Sequence, residues 1–344
     1  MNMELNAREK IVLEAIIRHF VEHAEPVGSK LLTKLTGLNL SSASIRTVMA
    51  RLEKTGLIRQ PHISAGRIPT ALGYRVYVDA LMKRAKLSAT EKDLIFRSLK
   101  TEGMRLENIL EVAARLLANI SHQLTILVSP GLDDSIFEKI EIMPLSGRRV
   151  VLIMSISSGF IKTMNLEIEE TVNERDLREL TTILNERLSG LTISMIRHRF
   201  RDILKGVSID KYGILKLFIR DPHKIFHFDQ DQELLFNGAI HLLEQPEFKE
   251  SEKAAAILSL LEHKNPIVKL IDDTAPPSQI TRISIGDEIP LPVMKDFSIV
   301  TSRYLMGDSS GSISVVGPMR MNYPKLVAVV EYTARAITDL YRFN

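Results

Sequence analysis

Three patterns in this 344-residue chain bring together residue types that could do chemistry. Gly307-Asp308-Ser309-Ser310-Gly311 matches G-x-S-x-G, the turn that lifts a nucleophilic serine out of a sheet. That turn needs a strand before it and a helix after it, with an aspartate and a histidine later in the chain. Here a strand-like run follows and the last histidine is His263, so the segment predicts a hairpin tip. His19 with His23, and His223 with His227, have the i, i+4 spacing that sets two imidazoles on one helical face, where Asp221 or Asp229 could add an oxygen to a zinc site. Neither pair carries the HExxH glutamate. Moreover HKIFHF, around the second pair, alternates like a strand, on which residues four apart stand too far apart to chelate.

The third pattern is electrostatic. Residues 26–75 hold Lys30, Lys34, Arg46, Arg51, Lys54, Arg59, Arg67 and Arg75 against Glu53 alone, a net charge of 8 − 1 = +7. The whole chain is +3, so everything outside that stretch sums to −4. Positive charge concentrated on short capped helices predicts a surface that meets phosphate. The remaining candidates offer less. Gly311 to Gly317 lacks the Lys-Ser or Lys-Thr of a phosphate loop, and Arg320 with Tyr323 in GPMRMNY reads as a pin between the last strand and the last helix. The chain has no cysteine, which removes disulfides, thiolate catalysis and cysteine-ligated zinc. No catalytic group, cofactor or metal is expected.

The elements around the basic stretch place it. Asn6 with Glu9 forms a capping box for a helix whose Leu13, Ile16, Ile17 and Phe20 share one face, and that helix should stop before Pro26. Ser29 is expected to cap a second helix, 30–36, closed by Gly37; Ser41 is expected to cap a third, to about 55, closed by Gly56. Two helices joined by a short Gly-containing turn make a helix-turn-helix. On the third helix Ile45, Val48, Met49 and Leu52 must face the core, which leaves Ser42, Ser44, Arg46, Thr47, Arg51 and Lys54 on the opposite side. Small hydroxyls at the helix start can approach base edges, and Arg46 can fork onto a guanine. Short extended pieces at 57–60 and 67–69 around a tip at 62–66 make a wing, with Arg67 reaching backbone phosphate or a narrow minor groove. Thr70 caps the next helix. The expected DNA-contact set is therefore Ser29, Lys30, Ser41, Ser42, Ser44, Arg46, Thr47, Arg51, Lys54, His62, Ser64 and Arg67.

EPVGS, LSSASIRTVMARLEKTGLI and above all QPHISAGRIPTALGYRVYVD resemble the amino-terminal domain of the heat-inducible transcription repressor family, HrcA, and GSISVVGPMRMNYPKL resembles that family's carboxyl-terminal segment. Thr47 stands where the family usually has asparagine, and Met319 where it has threonine. The resemblance implies a winged helix, a GAF-like domain and an inserted dimerising domain. It further implies a homodimer on an inverted-repeat operator of chaperone operons, with activity maintained by the GroE chaperonin. An alternative is a winged-helix regulator of other genes that senses a small molecule through the GAF-like domain.

Beyond residue 86 the pattern alternates. Helices are expected at 88–99 and 105–122, then strands at 124–128, 137–143, 150–156 and 160–168, with VVLIMSI read as a strand buried on both faces. Helices dominate from 174 to 271, broken by an extended piece at 224–228. Strands return at 280–285, 297–304 and 312–316 before a last helix, 323–341. The fold class expected is α+β multidomain: a winged helix-turn-helix at 1–86, a GAF-like α/β domain in two parts at 87–167 and 278–344, and a mainly helical dimerisation insert at 168–277. Hydrophobic residues at 45% and charged residues at 25% suit a protein with a sizeable core. No apolar run approaches the roughly 20 residues a membrane helix needs, and the opening MNMELNAREK lacks a signal peptide's apolar core, so a cytoplasmic location is expected.

Overall fold

The computed structural model describes residues 5–62, 65–100, 106–146, 148–157, 159–168, 173–207, 213–220, 222–226, 234–248, 259, 261, 264–275, 281–307 and 309–342. Its contacts divide the chain into two compact units, Met1–Leu127 with Leu234–Arg303 and Ser312–Ala336, and Val128–Glu233 with Tyr304–Gly311 and Ile337–Asn344.

The first unit opens with helices α1 (Ala7–His23), α2 (Ser29–Leu35) and α3 (Ser42–Lys54) and a two-stranded antiparallel hairpin, β1 (Ile58–Arg59) and β2 (Ile68–Pro69). The caps that terminate these helices are local. Asn6 and Glu9 exchange side-chain and backbone bonds at 2.9 and 3.0 Å, and α1 ends with Ala24 at φ 58° before Pro26. Gly37 and Gly56 take positive φ at the exits of α2 and α3. Val12, Leu13, Ile16 and Ile17 of α1 close over Leu32, Ile45, Met49 and Leu52, all buried, while Phe20 is half-buried. Thr70 caps α4 (Ala71–Val76), accepting from the Gly73 amide at 3.1 Å, and α4 runs on through a π turn, Tyr77–Leu81. Gly73 is obligatory: a Cβ there would stand 2.1 Å from the Leu57 carbonyl oxygen.

Helices α5 (Ala89–Leu99) and α6 (Leu106–Ser121) lead to β3 (Leu124–Val128). The chain then enters the second unit. Strands β4 (Phe137–Ser146), β5 (Arg149–Ile156) and β6 (Ile161–Glu167) form an antiparallel sheet in that order, and α7 (Glu174–Leu188), α8 (Ile193–Ile203), α9 (Gly213–Arg220) and α10 (Pro222–Phe226) share its core. Leu177, Leu180, Leu184 and Leu188 line one side of α7, and Phe200, Phe218 and Phe226 pack ring to ring at 5.3 to 6.1 Å.

Two expectations fail here. β5 is not buried on both faces: Val150, Leu152, Met154 and Ile156 go inward, and Val151, Ile153 and Ser155 stay half-buried, because the sheet carries helices on one side only of that strand's alternation. The piece at 224–228 is not extended where it is described. Pro222 opens a helical turn with its preset φ, and Ile225 and Phe226 drop into the aromatic cluster. The strands at 137–168 share a core with the helices after Asn173, and residues 234–275 fall with the first unit.

The return to the first unit brings β7 (Leu234–Asn237), not foreseen as a strand, then α11 (Ala239–Leu243) and α12 (Lys264–Thr274). Strands β8 (Arg282–Ile285), β9 (Phe297–Met306) and β10 (Ser309–Pro318) complete a five-stranded sheet in the order β7-β3-β10-β9-β8, and α13 (Tyr323–Arg342) ends the chain. Gly307 at φ 59° turns β9 into β10. The segment is a hairpin, but Ser309 is not at its tip: it is a buried residue of β10, its Oγ 2.7 Å from Ser135 Oγ, and it is followed by strand rather than by the helix a nucleophile turn needs.

Candidate nucleic-acid interface

The outward face of α2 and α3 collects most of the expected contacts. Ser41 is exposed and caps α3, accepting from the Ser44 amide at 3.1 Å, with the two hydroxyls 3.0 Å apart. Ser44, Arg46, Thr47 and Lys54 are exposed, and Ser42 is half-buried. Thr47 donates its hydroxyl back to the Ala43 carbonyl at 3.3 Å. Lys30 stands exposed on α2. Among the described residues neither Lys30 nor Lys54 has a carboxylate partner, and the same holds for Arg46.

Other members of the set are committed to the protein. Ser29 does not cap α2: that position is Gly28, and Ser29 is buried with its Oγ 2.8 Å from Ser42 Oγ and 3.2 Å from Arg46 Nε. Arg51 remains 67% exposed but gives its Nε to Glu9 at 2.9 Å, and Glu9, only 3% exposed, also closes the capping box of α1. The pair therefore clamps α3 to α1. Arg67 is not at the hairpin tip. It immediately precedes β2, forms an isolated bridge with Val27 through two 2.9 Å backbone bonds, and turns its Nε onto Glu53 at 2.9 Å. Gly66 beside it must lack a side chain, since a Cβ would meet the Val27 backbone at 2.5 Å. His62 is exposed near the tip, and Ser64 lies outside the described residues.

Sequence reasoning missed Arg59, exposed on β1 opposite buried Ile58; the two-residue alternation of a strand was the available signal. It also missed the carboxylates that take cations out of the pool. Glu53 takes Arg67, and Glu288 takes Arg75 through both oxygens, with a further 2.7 Å bond from Arg75 to the Ile283 carbonyl. Burial opposes the Arg75 charge, but the bonds to Glu288 and Asp79 outweigh it and hold its pKa above the ordinary value. Arg320, 13% exposed, forks onto Glu247 and reaches Gln245 at 2.7 Å, and Tyr323 donates to the Met319 carbonyl at 2.6 Å, so both serve as pins.

Of the candidate metal ligands, only the first histidine pair is described in full. His19 and His23 stack with ring centroids 4.2 Å apart, and His23 Nδ1 lies 3.1 Å from the His19 carbonyl oxygen. Among the described residues there is no group of three or more His, Cys, Asp or Glu that could hold a metal, and no helix is long and apolar enough to cross a membrane. His227 and the His223 side chain lie outside what is described.

Residues 107–327 match the family model described as the HrcA protein C terminal domain. The chain is 39% identical to the heat-inducible transcription repressor HrcA of Chlorobium luteolum over 97% of each protein. It is 37% identical to the HrcA of Chlorobium chlorochromatii over 98% of this chain and 97% of that one, and 34% identical to the HrcA of Geobacter sulfurreducens over 98% of each. A crystal structure of a hypothetical protein at 2.2 Å resolution shares the fold, with a TM-score of 0.64 and 24% identity over 98% of this chain and 99% of that one. The relatives are transcription repressors by name, a class that regulates rather than catalyses. The chain belongs to the HrcA family of heat-inducible transcription repressors.

Proposed function

We propose that the chain represses transcription by binding duplex DNA through residues 1–86, folded as a winged helix-turn-helix, as a homodimer on an inverted-repeat operator of chaperone genes. The observation that carries this is the outward face of α2 and α3, where Lys30, Arg46 and Lys54 are exposed beside short hydroxyl side chains. α3 enters the major groove; Ser42, Ser44, Arg46 and Thr47 read base edges, while Lys30, Lys54 and His62 register on phosphate. Arg51 and Arg67 contribute chiefly by fixing α3 and the hairpin, with their terminal nitrogens adding charge. The twofold contact lies in the second unit, which exposes Met143, Leu145, Ile161 and Met195. Two heads then meet half-sites about 34–36 Å apart. The five-stranded sheet with α6 and α13 forms the GAF-like body.

Family membership supports control by the GroE chaperonin. A margin of about 5–15 kcal/mol is all that holds an ordinary domain folded, so a helper that restores the folded dimer sets how much repressor is active as temperature rises. The test begins with selection of a duplex from a randomised inverted-repeat pool. Gel mobility shifts then compare that duplex with its scramble, with and without chaperonin, across a salt series. Preference for the selected duplex, sharpened by chaperonin after mild heating, is the expected result. Equal affinity for both duplexes at every salt concentration would sink the proposal.

A further inference from the structure

Ser29 is the first residue of α2, a position whose hydroxyl is ordinarily free to face solvent. Here it is buried against α3, with Ser42 Oγ at 2.8 Å and Arg46 Nε at 3.2 Å. The contact joins elements that are 13 and 17 residues apart in sequence, so it is a property of how α2 packs on α3. Arginine has one Nε–H and four terminal N–H groups in a rigid plane. With the Nε–H donated to Ser29, rotation of the guanidinium is restricted, and its two terminal nitrogens, which form the opposite edge of the planar group, remain without a bonded partner among the described residues. Among the described residues Arg46 has no other side-chain partner.

We propose that Ser29 is a positioning residue for sequence recognition: without touching DNA, it locks Arg46 so that the two terminal nitrogens meet the O6 and N7 atoms of one guanine end-on. The proposal rests on the reading of Arg46 as a base contact given above. With Ser29 Oγ accepting from Arg46, its own O–H is placed to donate to Ser42 Oγ, and the Ser42 O–H is then free to donate outward. Each bond in that chain polarises the next. The rotamer freedom of a long side chain is thereby surrendered on folding, before DNA arrives, and the operator meets a preorganised fork.

The full-length protein is tested on the selected duplex and its scramble. A bidentate contact of this kind discriminates by about fivefold to a hundredfold. Ser29→Ala is expected to lower the selected-to-scrambled affinity ratio about fivefold, with the loss confined to one G·C pair and the salt slope unchanged. Ser29→Thr, which keeps the hydroxyl, should retain most of the ratio. In an Arg46→Ala background Ser29→Ala should change nothing further. An equal loss in both backgrounds would make Ser29 merely structural and overturn the proposal, as would a full ratio in Ser29→Ala. If Arg46→Ala itself leaves the ratio intact, the base-reading role fails and the lock falls with it; a loss in Arg46→Ala without one in Ser29→Ala overturns the lock alone. One measurement needs no variant that must fold. With 7-deazaguanine at the implicated position the wild-type protein should lose its preference there, and an undiminished preference would exclude the end-on fork.

Discussion

Lys30, Arg46 and Lys54, on the outward side of α2 and α3, are exposed with no carboxylate partner among the described residues, whereas Arg75, Arg320 and Lys325 in the same unit each close on one, Glu288, Glu247 and Glu91. Arg67 falls between, half-buried with its Nε on Glu53. The contrast separates charge that holds the protein together from charge left open, which the proposed function assigns to a polyanion. A cation paired with a neighbouring carboxylate has already lost much of what it could offer phosphate, and a DNA-binding face must leave its cations unsatisfied at a cost in self-repulsion. Composition counts both kinds alike; geometry does not.

The largest effect should come from breaking an inward pair. Arg320→Ala leaves Glu247 and the Gln245 side chain without their donor next to the buried Tyr74 and Tyr323 rings, 5.9 Å apart. A loss of about 2–3 kcal/mol of stability is expected, less than for a fully buried pair because Glu247 keeps some water. Urea titration measures it. The folded fraction should bind the selected duplex as wild type does, and a specific loss of DNA affinity would blur the division.

Arg46→Ala is the converse experiment. Discrimination should fall by ~1–3 kcal/mol at one position, measured as the ratio of affinities for selected and scrambled duplex, while the urea midpoint stays within error. Equal losses on both duplexes would demote Arg46 to a phosphate contact.

Which cation belongs to which group was legible only in part. Caps and turns depend on residues three or four apart, so Asn6, Ser41, Thr70, Gly37 and Gly56 could be assigned from spacing and the structure places them so. Their partners are written next to them. The hydroxyl of Ser29 and the guanidinium of Arg67 find partners 13 to 17 residues away, and no local pattern distinguishes a serine that caps from one that packs. The same limit governs the strands at 137–168. Short apolar runs identified them as strands, but whether they join β3 and β10 or pair among themselves is decided by long-range packing, which a local pattern does not encode. HKIFHF failed for a related reason: burial of Ile225 and Phe226 among Phe137, Phe200 and Phe218 outweighed its alternating pattern.

Arg67 gives a sharper test because it is intermediate. Removing its side chain exposes Glu53 to water rather than burying it, so Arg67→Ala should cost only about 0.5–1 kcal/mol of stability. The slope of log affinity against log salt should fall by clearly less than one contact's worth. A full unit of slope would place Arg67 with the outward cations despite its bond to Glu53.

Lys325 closes on a carboxylate that keeps its contact with water, and is tested through that partner. The Lys325 ammonium first, then the Ser88 amide at 2.8 Å and the Ser88 hydroxyl at 2.9 Å, hold the Glu91 carboxyl down to about 2. The unfolded value is about 4.3. A depressed folded pKa contributes stability that is fully present above the unfolded value and is lost as pH falls from about 4.3 to about 2. The melting temperature of Glu91→Gln should therefore vary less with pH across that window than that of the wild type; an unchanged acid limb would show that Glu91 is solvated like any surface carboxylate.

Lys54 should show the smallest change and the most diagnostic one. It ends α3 on the exposed side with no bonded partner among the described residues, so neutralising it removes no structural contact and stability should not move. If it serves phosphate, Lys54→Ala weakens selected and scrambled duplexes by the same factor and lowers the salt slope by about 1. The ratio between duplexes, which Arg46→Ala alters, must stay fixed. A change in that ratio would mean that the end of α3 reads sequence as well as its beginning, and the division of labour along the helix would have to be redrawn with α3 lying flatter in the groove.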